Sequence, residues 1–278
     1  MSTDPAALPT RTLLPERDVG RFVHVERVMG LPVSLHVRGP GLAPGTATAA
    51  VAAAVTRAVS RLHDVDHTFS TYRDGSAVSR IRRGELALDD APADVLEVVA
   101  LCREAAGRTG GWFDAWLPPD RLFDPTGLVK GWVVEQVARD LAAALPGHDV
   151  LVNAGGDVVV ACDRTDTPDW VVAVEDPGDR NRLLARIPLR TGAVATSGTA
   201  ARGAHVLDPR TGAPAAGGLR AVTVVGPSLL WADVHATAAL AEGPRSRERL
   251  AALGDHVALL VGADGTQTLV REGPGAEV

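Results

Sequence analysis

Between Leu31 and Arg38 apolar and polar residues alternate, with Leu31, Val33, Leu35 and Val37 on one face and Ser34, His36 and Arg38 on the other. That is the period of a half-buried strand. An extended run from Arg21 precedes it across Met29-Gly30, so the two predict a hairpin. After a Pro/Gly loop at 39–45 the period changes. Val51, Val55, Ala58, Leu62 and Val65 recur at helical spacing and predict a long helix to about His67. A second helical stripe, Val95, Val98, Val99 and Cys102, takes Asp89 or Asp90 as its cap and stops at Gly110-Gly111. A third carries Val129, Trp132, Val133, Val137, Leu141 and Leu145, with Asp124 as cap, Pro125 at the first helical position and Pro146-Gly147 as its end.

The second half of the chain reads mostly as sheet. Residues 150–160 predict two strands joined by Asn153-Ala154-Gly155-Gly156-Asp157, a turn of the hairpin kind. The stretch is no dinucleotide fingerprint, because it lacks the G-x-G-x-x-G spacing and no helix follows. Further strands are expected at 170–174, 183–189, 193–196, 257–261 and 266–270, with a polar turn at Thr196-Ser197-Gly198 and a short charged helix near 247–253. From Gly203 to Gly212 a mostly apolar run gives way to Asp-Pro-Arg-Thr-Gly, whose Pro and Gly dictate a tight turn that gathers His205, Asp208 and Arg210. Ala232 to Thr237 lies in a run of helix formers ending at Gly243. Asp233 and Thr237 stand four apart on one helix face, a carboxylate and a hydroxyl suited to a hard cation.

Composition narrows the classes. The 278 residues, 46% hydrophobic and 22% charged, suit one globular domain with a sizeable core. We expect it at 21–271, between tails at 1–20 and 272–278. The net charge of −6 does not recommend nucleic acid or an anionic membrane as partner. Cys102 and Cys162 have neither metal-ligand nor redox spacing. The first residues contain no apolar signal-peptide core, lipid-accepting cysteine or membrane-spanning stretch, so a cytoplasmic location without membrane anchor is expected.

Two segments carry competing readings. Gly127, Lys130 and Gly131 fall in the first turns of the third helix, where each glycine costs about 1 kcal/mol relative to Ala. Something therefore approaches that backbone closely, and a helix start with a lysine is also a phosphate site. Phe69-Ser70-Thr71-Tyr72 reads as a helix-to-loop transition with both aromatics in the core.

Taken together, Met29-Gly30, Phe69 to Tyr72, Phe113-Asp114, Asp124 to Gly131, Asn153 to Asp157, Ala195 to Gly198, His205 to Gly212, and Ala232-Asp233 with Ala236-Thr237 resemble, in order, the motifs of the ApbE family. The resemblance implies a compact α+β, T-fold-like domain with mixed or antiparallel sheets and packed helices. It also implies an FAD:protein FMN transferase, which moves the FMN half of FAD onto a threonine of an acceptor protein, with Mg²⁺ bound and AMP released. Carried over by position, it assigns the metal to Gly127 and Ala236 through their carbonyls, and to Asp233 and Thr237. FAD contacts fall to Met29, Tyr72, Trp112, Phe113, Asp114, Asp124, Lys130, Thr196, Ser197, Gly198 and Leu207. Lys130 would face the pyrophosphate, His205 would be the general base on the incoming threonine, and Asp208 would orient it or shape the turn. His235 reads as core or as support behind the metal. An FAD pyrophosphatase yielding FMN and AMP, and a flavin-binding protein without catalysis, are the alternatives.

Overall fold

The computed structural model describes residues 20–43, 45–199, 206–215 and 217–271. The tails expected at 1–20 and 272–278 therefore lie, apart from Gly20, outside the described residues. The chain opens with strands β1 (Arg21–Val28) and β2 (Leu31–Arg38), joined by Met29 and Gly30 at φ 55° and 72°. Two successive left-handed residues make the tight turn whose twist matches a hairpin. Helix α1 (Ala49–Phe69) follows, capped by the Thr48 hydroxyl on Val51 N, then the short α2 (Ala77–Arg82) and α3 (Ala93–Arg108). Two-residue strands β3 (Trp116–Leu117) and β4 (Leu122–Phe123) lead into α4 (Thr126–Ala144). Strands β5 (Asp149–Ala154), β6 (Asp157–Cys162), β7 (Trp170–Asp176), β8 (Asp179–Leu189), β9 (Thr191–Gly198) and β10 (Leu219–Gly226) come next. Helices α5 (Leu229–Glu242) and α6 (Ser246–Ala251) and strands β11 (Val257–Gly262) and β12 (Gln267–Val270) complete the fold.

Eight strands form one sheet in the order β1-β2-β5-β6-β9-β10-β11-β12, and every strand pairing among the described residues is antiparallel. Alternation assigns the faces. Val150, Val152, Val159, Ala193, Ala195, Val222 and Val224 join the main core, which also takes the buried stripes of α1, α3, α4 and α5. Leu151, Val158, Val160 and Val194 point the other way, into a smaller cluster closed by Trp170 and Val172 of the β7-β8 hairpin. Helices α4 and α5 thus cover one face of the central strands and the hairpin covers the other.

Local differences from the sequence expectations have simple causes. The α3 helix starts at Ala93 with Pro92 in the cap position, and Asp89 and Asp90 sit in a preceding 3-10 turn. Pro92 fixes its own φ and ends that turn, which moves the start beyond the aspartates. Likewise Pro125 takes the cap position of α4 rather than its first turn. Asp124 stands one residue earlier, yet its Oδ1 still accepts from Thr126 N at 3.1 Å and from Thr126 Oγ1 at 2.6 Å. Phe69 is buried, but Tyr72 is 96% exposed, against the expectation that both enter the core. The α2 helix and strands β3 and β4 are too short to carry a pattern, and strand β10 was not among the expected elements. No helix among the described residues is long and apolar enough to cross a membrane.

Candidate active site

At one end of the sheet the β1-β2 turn, the β5-β6 turn and the close of β9 lie side by side. Gly155 and Gly156 adopt φ 63° and 105°, and the Asn153 side chain accepts from Gly156 N at 2.9 Å. Gly155 N also donates to Pro32 O at 3.2 Å. This turn delivers Asp157 as the first residue of β6, facing the helices and 4% exposed. Its Oδ1 accepts from Thr196 N at 2.9 Å, locking the carboxylate to β9.

Packing of α4 on α5 brings the other groups. Glu135 Oε2 accepts from Ser228 Oγ at 2.6 Å and from Leu230 N at 3.0 Å, tying the start of α5 to the side of α4. Gly131 permits the contact, since a Cβ there would stand 3.1 Å from Leu230 Cα and 3.3 Å from Asp233 Oδ2. The close approach expected of Gly131 is therefore made by α5. At Gly127 it is made by the Phe113 ring, 3.2 Å from where a Cβ would be.

The result is a chain of three charges. The Lys130 ammonium forms ion pairs with Asp157 Oδ2 and, at 3.0 Å, with Asp233 Oδ2. Lys130 thus bridges two buried carboxylates rather than standing free. Asp233 Oδ2 is fully buried and accepts no hydrogen bond, so Lys130 is a counter-charge beside it without hydrogen-bond geometry. One turn along α5, Thr237 Oγ1 is 2.9 Å from Ser197 Oγ.

Other expected residues lie as follows. Thr196 turns its hydroxyl to the opposite face, onto Thr223 at 2.9 Å, so only its N–H serves Asp157. Gly198 is a glycine because Arg220 O lies 3.1 Å from its would-be Cβ. In the 112–124 loop Phe113 is buried, Asp114 accepts from Trp116 N at 2.8 Å and pairs with Arg121 at 3.1 Å, and Trp112 lies 3.8 Å beneath the Arg210 guanidinium. Arg210 grips Asp208 through Nε at 3.0 Å and Nη2 at 2.8 Å, and these bonds hold the Asp208 carboxyl below its usual range. Leu207 pairs with Pro214 across the same turn, and a Cβ on Gly212 would stand 3.0 Å from Pro118 O. The turn at 207–214 is thereby fastened to the 112–124 loop. Met29, in its left-handed turn, packs partly buried against the core. Ala236 is wholly buried in α5 and offers only its carbonyl. His235 is buried beside Arg249 and the His256 ring; burial first, then the Arg249 charge, push its pKa down to about 4. His205 lies outside the described residues.

Among the described residues no three His, Cys, Asp or Glu side chains cluster as a metal cage. A cation here would rest on one carboxylate with hydroxyl and carbonyl oxygens. A buried carboxylate oxygen without a hydrogen bond is costly, and the oxygen-only donor set suits Mg²⁺, so the residues present fit that ion. Asp157 was not among the residues expected at the site. The one local signal for it is its place closing the Gly-Gly turn, as the last residue of the Asn153 to Asp157 stretch.

Comparison with known proteins bears on this arrangement. The ApbE family profile matches residues 29–119 and 115–261. The FAD:protein FMN transferase of Klebsiella pneumoniae (strain 342) is 30% identical over 141 residues, 48% of this chain and 40% of that protein. That of Rhodobacter capsulatus is 32% identical over 158 residues, 53% of this chain and 29% of that protein. The matched segments thus span less than half of these relatives. Among solved structures, the ApbE protein of Thermotoga maritima superposes with a TM-score of 0.75 at 19% identity, covering 89% of this chain and 96% of that one. The flavin transferase ApbE of Vibrio cholerae gives 0.74 at 22% identity, covering 91% and 97%. With a profile match running through the sheet end, both helices and the three-charge chain, this protein belongs to the ApbE family.

Proposed function

We propose that the chain is an FAD:protein FMN transferase that attaches FMN to a threonine hydroxyl of an acceptor protein and releases AMP. The observation that carries this reading is the buried, hydrogen-bond-free Oδ2 of Asp233 beside Lys130. Its support is the family and the names of the relatives. The threonine Oγ attacks the flavin-side phosphorus in line, forming a phosphoester, while the bond to the bridging oxygen breaks and that oxygen leaves with AMP. The hydroxyl proton passes to His205, whose ordinary pKa near 6.5 suits a base at working pH.

Asp233 and Thr237, with the carbonyls of Gly127 and Ala236, would hold Mg²⁺. When bound, that ion supplies charge neutralisation and orientation for the pyrophosphate. Asp157 holds the Lys130 ammonium at the end of the sheet, and Ser197 orients the Thr237 hydroxyl. The 207–214 turn, fastened through Arg210 on Trp112, forms the wall beside which FAD lies.

Incubation with FAD, Mg²⁺ and a candidate acceptor domain, read by intact mass, tests the proposal. The expected result is a gain of one FMN on an acceptor threonine. Free FMN and AMP with an unmodified acceptor would name the protein an FAD pyrophosphatase instead.

A further inference from the structure

Of the 28 Lys and Arg residues in the chain, one is lysine, and it stands between Asp157 and Asp233. Elsewhere the protein stabilises a buried carboxylate with arginine. Arg38 reaches Asp149 Oδ2 through Nε and Nη2 and also donates to Pro168 O. A guanidinium holds such a partner through a rigid planar fork, whereas an ammonium is a compact point charge on a flexible stem. The two carboxylates of Lys130 are unequally held. Asp157 is locked to β9 through Thr196 N, while Asp233 Oδ2 has no hydrogen bond and, among the described residues, pairs with the Lys130 ammonium alone. Lys130 keeps 22% of its side chain exposed, against 6% for Asp233, so it stands on the solvent edge of the pair.

We propose that Lys130 is a displaceable occupant of the cation site: its ammonium neutralises Asp233 in the metal-free chain, and a divalent cation binding there drives Nζ off Asp233 while Asp157 retains it. This rests on the assignment of Mg²⁺ to Asp233 above. Charge arithmetic requires the movement. Two carboxylates and an ammonium sum to −1, and a dication held by Asp233 would otherwise meet the ammonium at contact distance in a buried setting, where repulsion is poorly screened. The displaced ammonium, tethered by Asp157, then faces whatever anion approaches the metal. Cation binding would thus convert Lys130 from an internal counter-ion into a phosphate-facing charge.

The single lysine makes the test direct. Protein grown with [ε-13C]lysine gives one Hε–Cε cross-peak, which is followed during MgCl₂ titration of the whole chain without FAD, alongside calorimetry. The expected result is a saturable shift of that peak with the calorimetric midpoint, reversed by EDTA. Lys130→Met removes the competing charge and should bind Mg²⁺ about tenfold more tightly or better. The wild-type titration carries the test if this variant fails to fold. Saturable Mg²⁺ binding with an unmoved lysine peak, or equal or weaker binding by folded Lys130→Met, overturns the displacement alone. Absence of Mg²⁺ binding in every form overturns the metal assignment and the displacement with it.

Discussion

Two buried cation–carboxylate clusters flank the central sheet, and they are built to opposite rules. Around Asp149 every oxygen is used: Oδ2 accepts from Arg38 Nη2 at 2.9 Å and Thr167 Oγ1 at 2.5 Å, and Oδ1 from Arg164 N at 3.0 Å. Burial raises the Asp149 pKa, but the bonds from Thr167, Arg164 and Arg38 outweigh it and hold it below the ordinary value. Arg38 is further stacked 4.3 Å from the Trp170 ring, which pins the β7-β8 hairpin to the sheet. Around Asp233 one oxygen is left without a hydrogen bond and the neighbouring cation is a lysine. A carboxylate whose oxygens already accept hydrogen bonds has little left to offer a further partner, whereas the unbonded buried oxygen of Asp233 keeps its capacity to hold a cation and costs stability until it does.

Exchanging the two carboxylates for alanine gives the sharpest contrast. Asp233→Ala is expected to lower Mg²⁺-dependent turnover by at least about a hundredfold with little change in melting temperature, since Lys130 keeps Asp157. Turnover near wild type would remove Asp233 from the metal. Asp149→Ala should do the reverse, costing about 3–5 kcal/mol of stability because Arg38 is left buried and unpaired. Urea unfolding measures it, and a loss well below 1 kcal/mol would show that the saturated cluster is dispensable.

How much of this contrast was legible in the chain follows from the range of the interactions. Strict alternation in β2 and helical stripes in α1, α3 and α4 are local signals, and they gave the elements and their buried faces. The β10 strand, which pairs with β9 and β11, was not expected, although its β-branched run lies between Gly217-Gly218 and Gly226-Pro227 and carries a legible strand signal. At the site, Asp233 and Thr237 were legible from their spacing on one helix face and Lys130 from its place at a helix start, and the resemblance then assigned each a role. The bridge from Lys130 to Asp157 was not legible, because it joins α4 to a turn between two strands and depends on tertiary packing alone. Asp149 was missed for the same reason: Arg38 lies 111 positions away, on the face read as half exposed. The glycines of α4 were readable in kind, since a costly residue demanded a close neighbour. That the neighbours would be Phe113 and α5 needed coordinates.

Gly131 supplies a more graded test of the unsaturated cluster. Gly131→Ala puts a Cβ 3.1 Å from Leu230 Cα and 3.3 Å from Asp233 Oδ2. Backbone must give way on the first contact, so a loss of about 1–3 kcal/mol is expected, partly offset by the better helix propensity of Ala. The carboxylate shifts as well, so kcat should fall several-fold more than the stability loss explains. A variant with wild-type kcat and lowered melting temperature would make the α4-α5 approach a packing matter only.

The smallest expected effect belongs to the rim of the saturated cluster. His36 packs edge-on against Trp170 with centroids 6.2 Å apart, and its Nδ1 lies 2.5 Å from Arg21 Nη2. Burial first, and the Arg21 charge second, push its pKa down from 6.5 to about 4. A depressed histidine is neutral in the folded state over a range where the unfolded chain takes up a proton. Stability is therefore unaffected at pH well above 6.5 and is lost as pH falls from about 6.5 toward 4. Between about pH 7.5 and pH 5 the loss from this group should be about 1–2 kcal/mol, discounted for partial solvent screening. His36→Asn should remove that part of the slope while leaving stability at the higher pH nearly unchanged. Urea midpoints of both proteins at the two pH values measure the difference. Equal slopes would mean that His36 takes its proton in the folded state, and that the Arg21 and Trp170 side of the cluster opens to solvent in acid.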